Sequence, residues 1–201
     1  MKLILFDFDG VLANTEKLCY RIHTVKNKDL TWERFQEYSN GNFFDGYFKA
    51  VKEGKHIPAD DYDGSYKKIL DVLTIQDILH ESILYLAKNY RLAIVSSTDS
   101  SYINDFLRKE GLLEYFSDVL GMDTHLSKKF KIKKILEKYN LLPDDTIFIT
   151  DTLGDIREAN ECGVRSIGVT WGLHDREALL KGKPIKIIDN PQDLVQSVKE
   201  I

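Results

Sequence analysis

Apolar residues fall along this chain in short runs, and several of these runs end on a polar or acidic residue. LILF runs into Asp7, RLAIVS ends on Ser96, and TIFIT runs into Asp151. Similar runs are SDVLG at 117–121, RSIGVT ending at Thr170 and PIKIID ending at Asp189. None alternates polar and apolar with a period of two, which is how strands covered on both faces read. Helical patterns lie between them. Ile103, Phe106 and Leu107 share one face, and so do Ile132, Ile135, Leu136 and Tyr139. The last helix is signalled by Asn190 as N-cap, Pro191 at its first position, and Leu194, Val195 and Val198 as its apolar side. This strand–helix alternation from Ile75 onward predicts βαβ units. The expected fold class is α/β, with a doubly wound, mainly parallel, Rossmann-like sheet.

One interval breaks the rhythm. From about Thr15 to Thr74 no buried-type strand occurs. Helical patterns cover roughly 15–27, 31–39, 42–53 and 59–72, with Thr31 as an N-cap and Gly-Asn, Gly-Lys and Ile-Pro pairs as punctuation. About sixty helical residues are too many for an ordinary βα connection. The expected organisation is therefore a catalytic core of 1–14 and 75–201, with an α-helical cap inserted at 15–74 as a lid over the sheet.

Composition narrows the class. The chain has 201 residues, 43% hydrophobic and 30% charged, which suits a globular domain with a real core. Its net charge of −4 provides no long-range attraction to nucleic acid or anionic lipid. No stretch approaches a membrane span, and MKLILFDFDG is too short for a signal peptide, so the expected compartment is the cytoplasm. Cys19 and Cys162 form no CxxC pair and read as reduced thiols. Monomer and homodimer stay equally open.

The candidate chemistry sits where the apolar runs end. In open α/β sheets, ligands bind beyond the carboxyl ends of the strands. Asp7 and Asp9 lie two apart at such an end. Carboxylates this close repel one another unless a cation or a proton intervenes, although a solvated turn also accommodates the pair. Asp151 and Asp155 lie four apart across a helix start, where Asp155 also suits the helix dipole. Asp7 and Asp151 together make a hard oxygen site of the kind Mg²⁺ takes. Ser96, with the amide of Ser97, can hold a phosphate oxygen at a helix start, and is equally an N-cap cluster. Lys128 opens the helix KKFKIKK and can balance phosphate charge, though that run also reads as a solvated basic face.

Together these residues resemble the haloacid dehalogenase superfamily, in its phosphatase branch with a helical cap after the first motif. DFDGVLANT is similar to the first motif, IVSS to the second, the lysine region to the third, and TDTLGDIREANECGVRSIGVTWG to the fourth. The resemblance implies a Mg²⁺-dependent phosphatase for a small phosphorylated metabolite, similar to phosphoglycolate phosphatases. Asp7 would be the nucleophile and a metal ligand. Asp9 would act as acid and base, with its backbone carbonyl on the metal. Ser96 and Lys128 would hold the phosphate, Asp151 would bind the metal, and Asp155 would support the metal shell or Lys128. The third motif departs from the usual Lys-Pro, so Lys129 and Lys131 are alternatives to Lys128. Asp9 argues against dehalogenation. Cys19 stands where sugar phosphomutases carry a histidine, which favours hydrolysis; His23 lies one turn further along.

In the cap, Asn40, Asn42 and Lys49 are the expected substrate contacts. Phe43, Phe44, Tyr47 and Phe48 are expected to serve in packing. Alternative readings are a phosphomutase or a phosphonoacetaldehyde-hydrolase-like enzyme, in which Lys49 could serve, or a non-catalytic binding protein on this scaffold.

Overall fold

The computed structural model describes residues 1–201. Strands β1 (Leu3–Phe6), β2 (Arg91–Val95), β3 (Phe116–Leu120), β4 (Thr146–Thr150), β5 (Arg165–Val169) and β6 (Lys186–Ile188) form one sheet. Its order is β3-β2-β1-β4-β5-β6, and every neighbouring pair is parallel. The order reverses at β1, so β1 has the switch-point position where a crevice opens in such sheets.

The missing period of two has a direct cause. Ile4 and Phe6 point into one core with α5 (Asp77–Leu86), α6 (Ser100–Lys109) and α10 (Leu194–Lys199). Leu3 and Leu5 point the other way, into a second core with α7 (Lys128–Tyr139) and α8 (Leu153–Asn160). All four β1 side chains are fully buried, so each position must be apolar. The remaining helix, α9 (Arg176–Leu180), lies between β5 and β6 and sets Leu179 against that edge of the sheet. The C-terminal helix differs from expectation at its start. Asn190 makes no side-chain cap, Pro191–Asp193 forms a 3₁₀ turn, and the α-helix begins at Leu194, the first residue of its apolar side.

Between β1 and β2 the chain makes no strand. It forms α1 (Glu16–Thr24), α2 (Trp32–Glu37), α3 (Phe43–Lys52) and α4 (Tyr62–Val72) before α5. Thr31 caps α2 by accepting the Arg34 amide, as its position predicts. Aromatic rings hold these helices together: His23 lies against Phe35, Tyr47 and Tyr62, and Tyr38 against Tyr47. One seam where these helices meet the rest of the chain runs from Gln36 to Gly41. Gly154 lies so close to Gly41 that a Cβ on it would sit 1.9 Å from the Gly41 carbonyl. Arg157 donates to the Asn40 carbonyl at 2.6 Å, and Gln36 donates to that of Leu173 at 2.5 Å.

Candidate active site

The parallel register delivers three strand ends almost level. Phe6 pairs with Ile94 on one side and Ile149 on the other, so Asp7, Ser96 and Asp151 emerge within one residue of each other. Beyond Asp7 the chain folds back at once. The Phe8 carbonyl accepts the amides of Val11, Leu12 and Ala13, and the Gly10 amide closes onto Ala13. Gly10 has φ +74, and a Cβ there would lie 1.9 Å from Asp151 Oδ2 and 2.6 Å from Glu16 Oε1. Backbone conformation and space thus both require glycine. Gly172 makes the same allowance on the other side, where a Cβ would lie 2.3 Å from Asp151 Oδ2.

Lys128 is buried between two carboxylates. Its Nζ lies 2.8 Å from Asp7 Oδ2 and 2.6 Å from Asp155 Oδ2, and Thr150 Oγ1 donates to the latter at 2.6 Å. Burial would lower the Lys128 ammonium, but Asp155 and Asp7 raise it above the ordinary lysine range. Burial alone would raise Asp155, yet Lys128, Asp7 and Thr150 hold it below the usual carboxylate range. Asp7 goes the other way: burial lifts it well above that range, against the pull of Lys128. Burial also raises Asp151, with the charge of Glu16 adding to the effect.

Asp9 is held by three hydroxyls. Thr15 Oγ1 and Tyr66 Oη donate to its Oδ1 at 2.5 and 2.6 Å, and Thr98 Oγ1 donates to Oδ2 at 2.6 Å. Hydroxyls rotate and either donate or accept, so this shell can follow Asp9 between charged and neutral forms.

The three lysines separate by environment. Lys129 pairs with Glu161 on the surface at 2.6 Å. Lys131 is fully buried and donates to the carbonyls of Ser96 and Gly121, bracing the end of β2 rather than facing the carboxylates. Burial, with the charge of Lys128 beside it, lowers Lys131 to about 8 from the ordinary 10.5. Between those values the unfolded chain holds this proton and the folded protein does not, so the contribution of Lys131 to stability rises with pH across that window. Urea unfolding of the wild type and Lys131→Met at pH 7 and pH 10 should show the wild type gaining relative to the variant at the higher pH. A difference independent of pH would contradict this.

The oxygen donors suit a small hard cation. Asp151 Oδ1 is buried without a hydrogen-bond partner, and so is Glu16 Oε1, while Asp151 Oδ2 accepts the Leu173 amide at 2.7 Å. A buried, unpartnered carboxylate oxygen is costly unless something cationic meets it. Two room-making glycines flank Asp151. Mg²⁺ takes few protein ligands and keeps its waters, and these carboxylate oxygens are of the hard kind it accepts.

These groups line the floor of a cavity of about 370 Å³ roofed by α1, α3 and α4. Asp7, Asp9, Ser97, Lys128, Asp151 and Asp155 all border it. Ser96 lies just behind, fully buried, with its Oγ accepting the Thr98 amide at 3.0 Å. The expected cap contacts need correcting. Asn42 is the N-cap of α3 and also donates to Leu126 and Glu158, Asn40 contributes only its carbonyl to Arg157, and Lys49 is exposed on the outer side. None of the three borders the cavity. Phe43, Phe44, Tyr47 and Phe48, expected to serve in packing, border it. Glu16, Tyr66 and Thr98 also reach the site without having been expected there. Glu16 had a local signal, an acidic residue directly after Thr15, but a helix start explains that equally well. Burial pushes its carboxyl up to about 8.

Comparison with known proteins gives the family. A family model described as haloacid dehalogenase-like hydrolase matches residues 4–169. The chain belongs to this family. A phosphoglycolate phosphatase of Synechococcus elongatus is 30% identical to this haloacid dehalogenase-like hydrolase over 209 residues, covering 100% of this chain and 99% of the relative. Pyrophosphatase PpaX of Listeria monocytogenes is 26% identical over 208 residues, covering 98% of this chain and 96% of the relative. The structure of a haloacid dehalogenase-like hydrolase from Streptococcus pneumoniae shares the fold, with a TM-score of 0.81, 20% identity and 98% of each chain covered. With these relatives, the chain is a phosphatase of the haloacid dehalogenase-like family. No helix is long and apolar enough to cross a membrane.

Proposed function

We propose that this haloacid dehalogenase-like hydrolase is a Mg²⁺-dependent phosphatase that acts on a small phosphorylated metabolite through an aspartyl-phosphate on Asp7. The observation that carries this reading is the meeting of Asp7, Asp9, Asp151 and Lys128 on one cavity floor at the sheet's switch point. Asp7 and Asp151, with the Asp9 carbonyl, would hold the metal. Bound there, Mg²⁺ would neutralise charge on the phosphoryl oxygens and on Asp7.

The chain's own residues account for the steps. An Asp7 carboxylate oxygen forms a bond to phosphorus as the bond to the alcohol oxygen breaks. Asp9, in its acid form, gives its proton to that leaving oxygen. Asp9, now a carboxylate, takes a proton from water as the water oxygen attacks phosphorus and the bond to Asp7 breaks. Inorganic phosphate leaves, and both aspartates return to their starting forms. Lys128 balances the negative charge throughout, and Asp155 and Thr150 keep its ammonium in place. Ser97, on the cavity, would hold a phosphoryl oxygen, with Ser96 behind it bracing the turn through the Thr98 amide. Residues 15–74 would act as the cap, closing along the seam from Gln36 to Gly41 to exclude water.

The mutase and phosphonate-hydrolase readings find no support in the cap. Cys19 is buried, its thiol pushed well up by that burial, and it is no acid or base for a sugar hydroxyl. Lys49 lies outside the cavity. The test is p-nitrophenyl phosphate turnover with Mg²⁺ and after chelation by EDTA. Chelation should lower kcat/KM by at least about a hundredfold, and added Mg²⁺ should restore it. Undiminished turnover without divalent metal, or no turnover of any phosphoester, would sink the proposal.

A further inference from the structure

Above the floor formed by the carboxylates and Lys128, aromatic side chains supply much of the cavity wall. Its walls include Phe43, Phe44 and Tyr47 from α3, Tyr62 from α4, Tyr102 from α6, and Met122. Some of the rings present parallel faces. Phe43 and Tyr47 lie at 16° with centroids 5.9 Å apart, and Tyr62 and Tyr66 at 10° and 5.8 Å. Lys128 is the only lysine or arginine bordering the cavity, and Asp7 and Asp155 already occupy it. His23 is the one histidine on the wall. It bonds His56 at 3.1 Å, and burial beside that ring lowers it to about 4, so it is neutral at pH 7. The ionisable side chains at the remaining wall, Asp63 and Asp99, are acidic.

An anion on the alcohol side of the substrate would therefore lose its water against aromatic rings, meet no cation, and face like charge. Burying an unpaired charge in this way is among the costliest arrangements in a protein. The names of the two relatives imply substrates with such a second anion, a carboxylate in phosphoglycolate and a second phosphate in pyrophosphate. No lysine or arginine beyond Lys128 lines this cavity to pair with either.

We infer that the substrate is a phosphate monoester of an uncharged, largely apolar alcohol, with a planar ring against the Phe43–Tyr47 and Tyr62–Tyr66 walls, and not an ester bearing a second negative charge. The inference rests on the phosphatase reading above and deepens it. The cavity volume of about 370 Å³ admits a phosphoryl group and a single small ring system.

The test uses esters matched in leaving-group reactivity. Benzyl phosphate and 4-carboxybenzyl phosphate share ring and bond, and differ by one charge. With saturating Mg²⁺ at pH 7, kcat/KM for benzyl phosphate should exceed that for its carboxylated partner, and that for phosphoglycolate, by about tenfold or more. Phe48→Arg places a cation on the wall at a side chain already 53% exposed, so the variant should fold and narrow the gap. Equal or reversed preference in the wild type overturns the inference, and so does an unchanged gap in Phe48→Arg. Calorimetry with benzylphosphonate and 4-carboxybenzylphosphonate separates the two levels. Tighter binding of benzylphosphonate than of its carboxylated partner, with no ester turned over, upholds the wall chemistry and overturns the phosphatase reading. Equal binding overturns the wall chemistry whatever the turnover.

Discussion

Asp7→Asn should lose phosphoester turnover by about 10⁴-fold or more and remain folded. Asparagine has the size of aspartate and can still accept the Phe8 amide, which Asp7 Oδ1 does at 2.8 Å. Lys128 keeps Asp155 as its partner. The lost group is a carboxylate that burial disfavours in its charged form, so the metal-free variant should match or exceed the wild type in thermal stability. Rapid quenching with phosphorus-labelled substrate should trap label on the wild-type protein and none on the variant. Residual turnover above about 1% of wild type would point to another nucleophile.

Lys128→Met should be costly in both stability and rate. The methionine fills most of the space but leaves Asp7 and Asp155 buried without their common cation. Removing one member of such a group costs about 3–5 kcal/mol, read here as a lowered urea midpoint in metal-free buffer. Excess Mg²⁺ should recover part of that loss, since a ligand bound to the folded form stabilises it. Turnover should stay about 10²–10³-fold below wild type even in saturating Mg²⁺, because the charge on the transferring group loses a fixed partner. Near-normal turnover with Mg²⁺ would reduce Lys128 to a structural cation. Lys129→Met, made for comparison, should change neither, since its partner Glu161 is on the surface.

The sheet could be read from the chain because burial on two faces leaves apolar runs, and three of these runs end at Asp7, Ser96 and Asp151, beside one cavity. Asp7, Asp9, Asp151, Asp155 and Lys128 could be singled out for the same reason, as their positions follow from strand ends and helix starts, and all five border one cavity. Tyr66 and Thr98 could not. Tyr66 reaches Asp9 across 57 positions of sequence, and no local pattern marks a tyrosine of α4 as a partner for the end of β1. Thr98 sits in a Ser/Thr cluster that reads as an N-cap, yet Asp99 is the residue that caps α6, by accepting the Ser101 amide, and Thr98 turns to Asp9. The cap misled in both directions. Polarity pointed to Asn40, Asn42 and Lys49, yet backbone capping, the docking seam and solvent account for them. The rings of α3 resemble ordinary core, and only the fold reveals that one side of them faces a cavity.

The position of β1 has a consequence for how the protein is made. The strand is synthesised before either neighbour, yet its pairing needs both. Ile94 follows its partner Phe6 by 88 positions and Ile149 by 143. On the ribosome, four wholly apolar side chains would wait with both backbone edges bare while the helices after them can already gather around His23, Phe35 and Tyr47. Pairing this distant in sequence is slow, and such an edge is prone to aggregate. The segment leading to Asp7 is thus one that a chaperone has most reason to shield, and the cavity cannot form until Asp151 has left the exit tunnel.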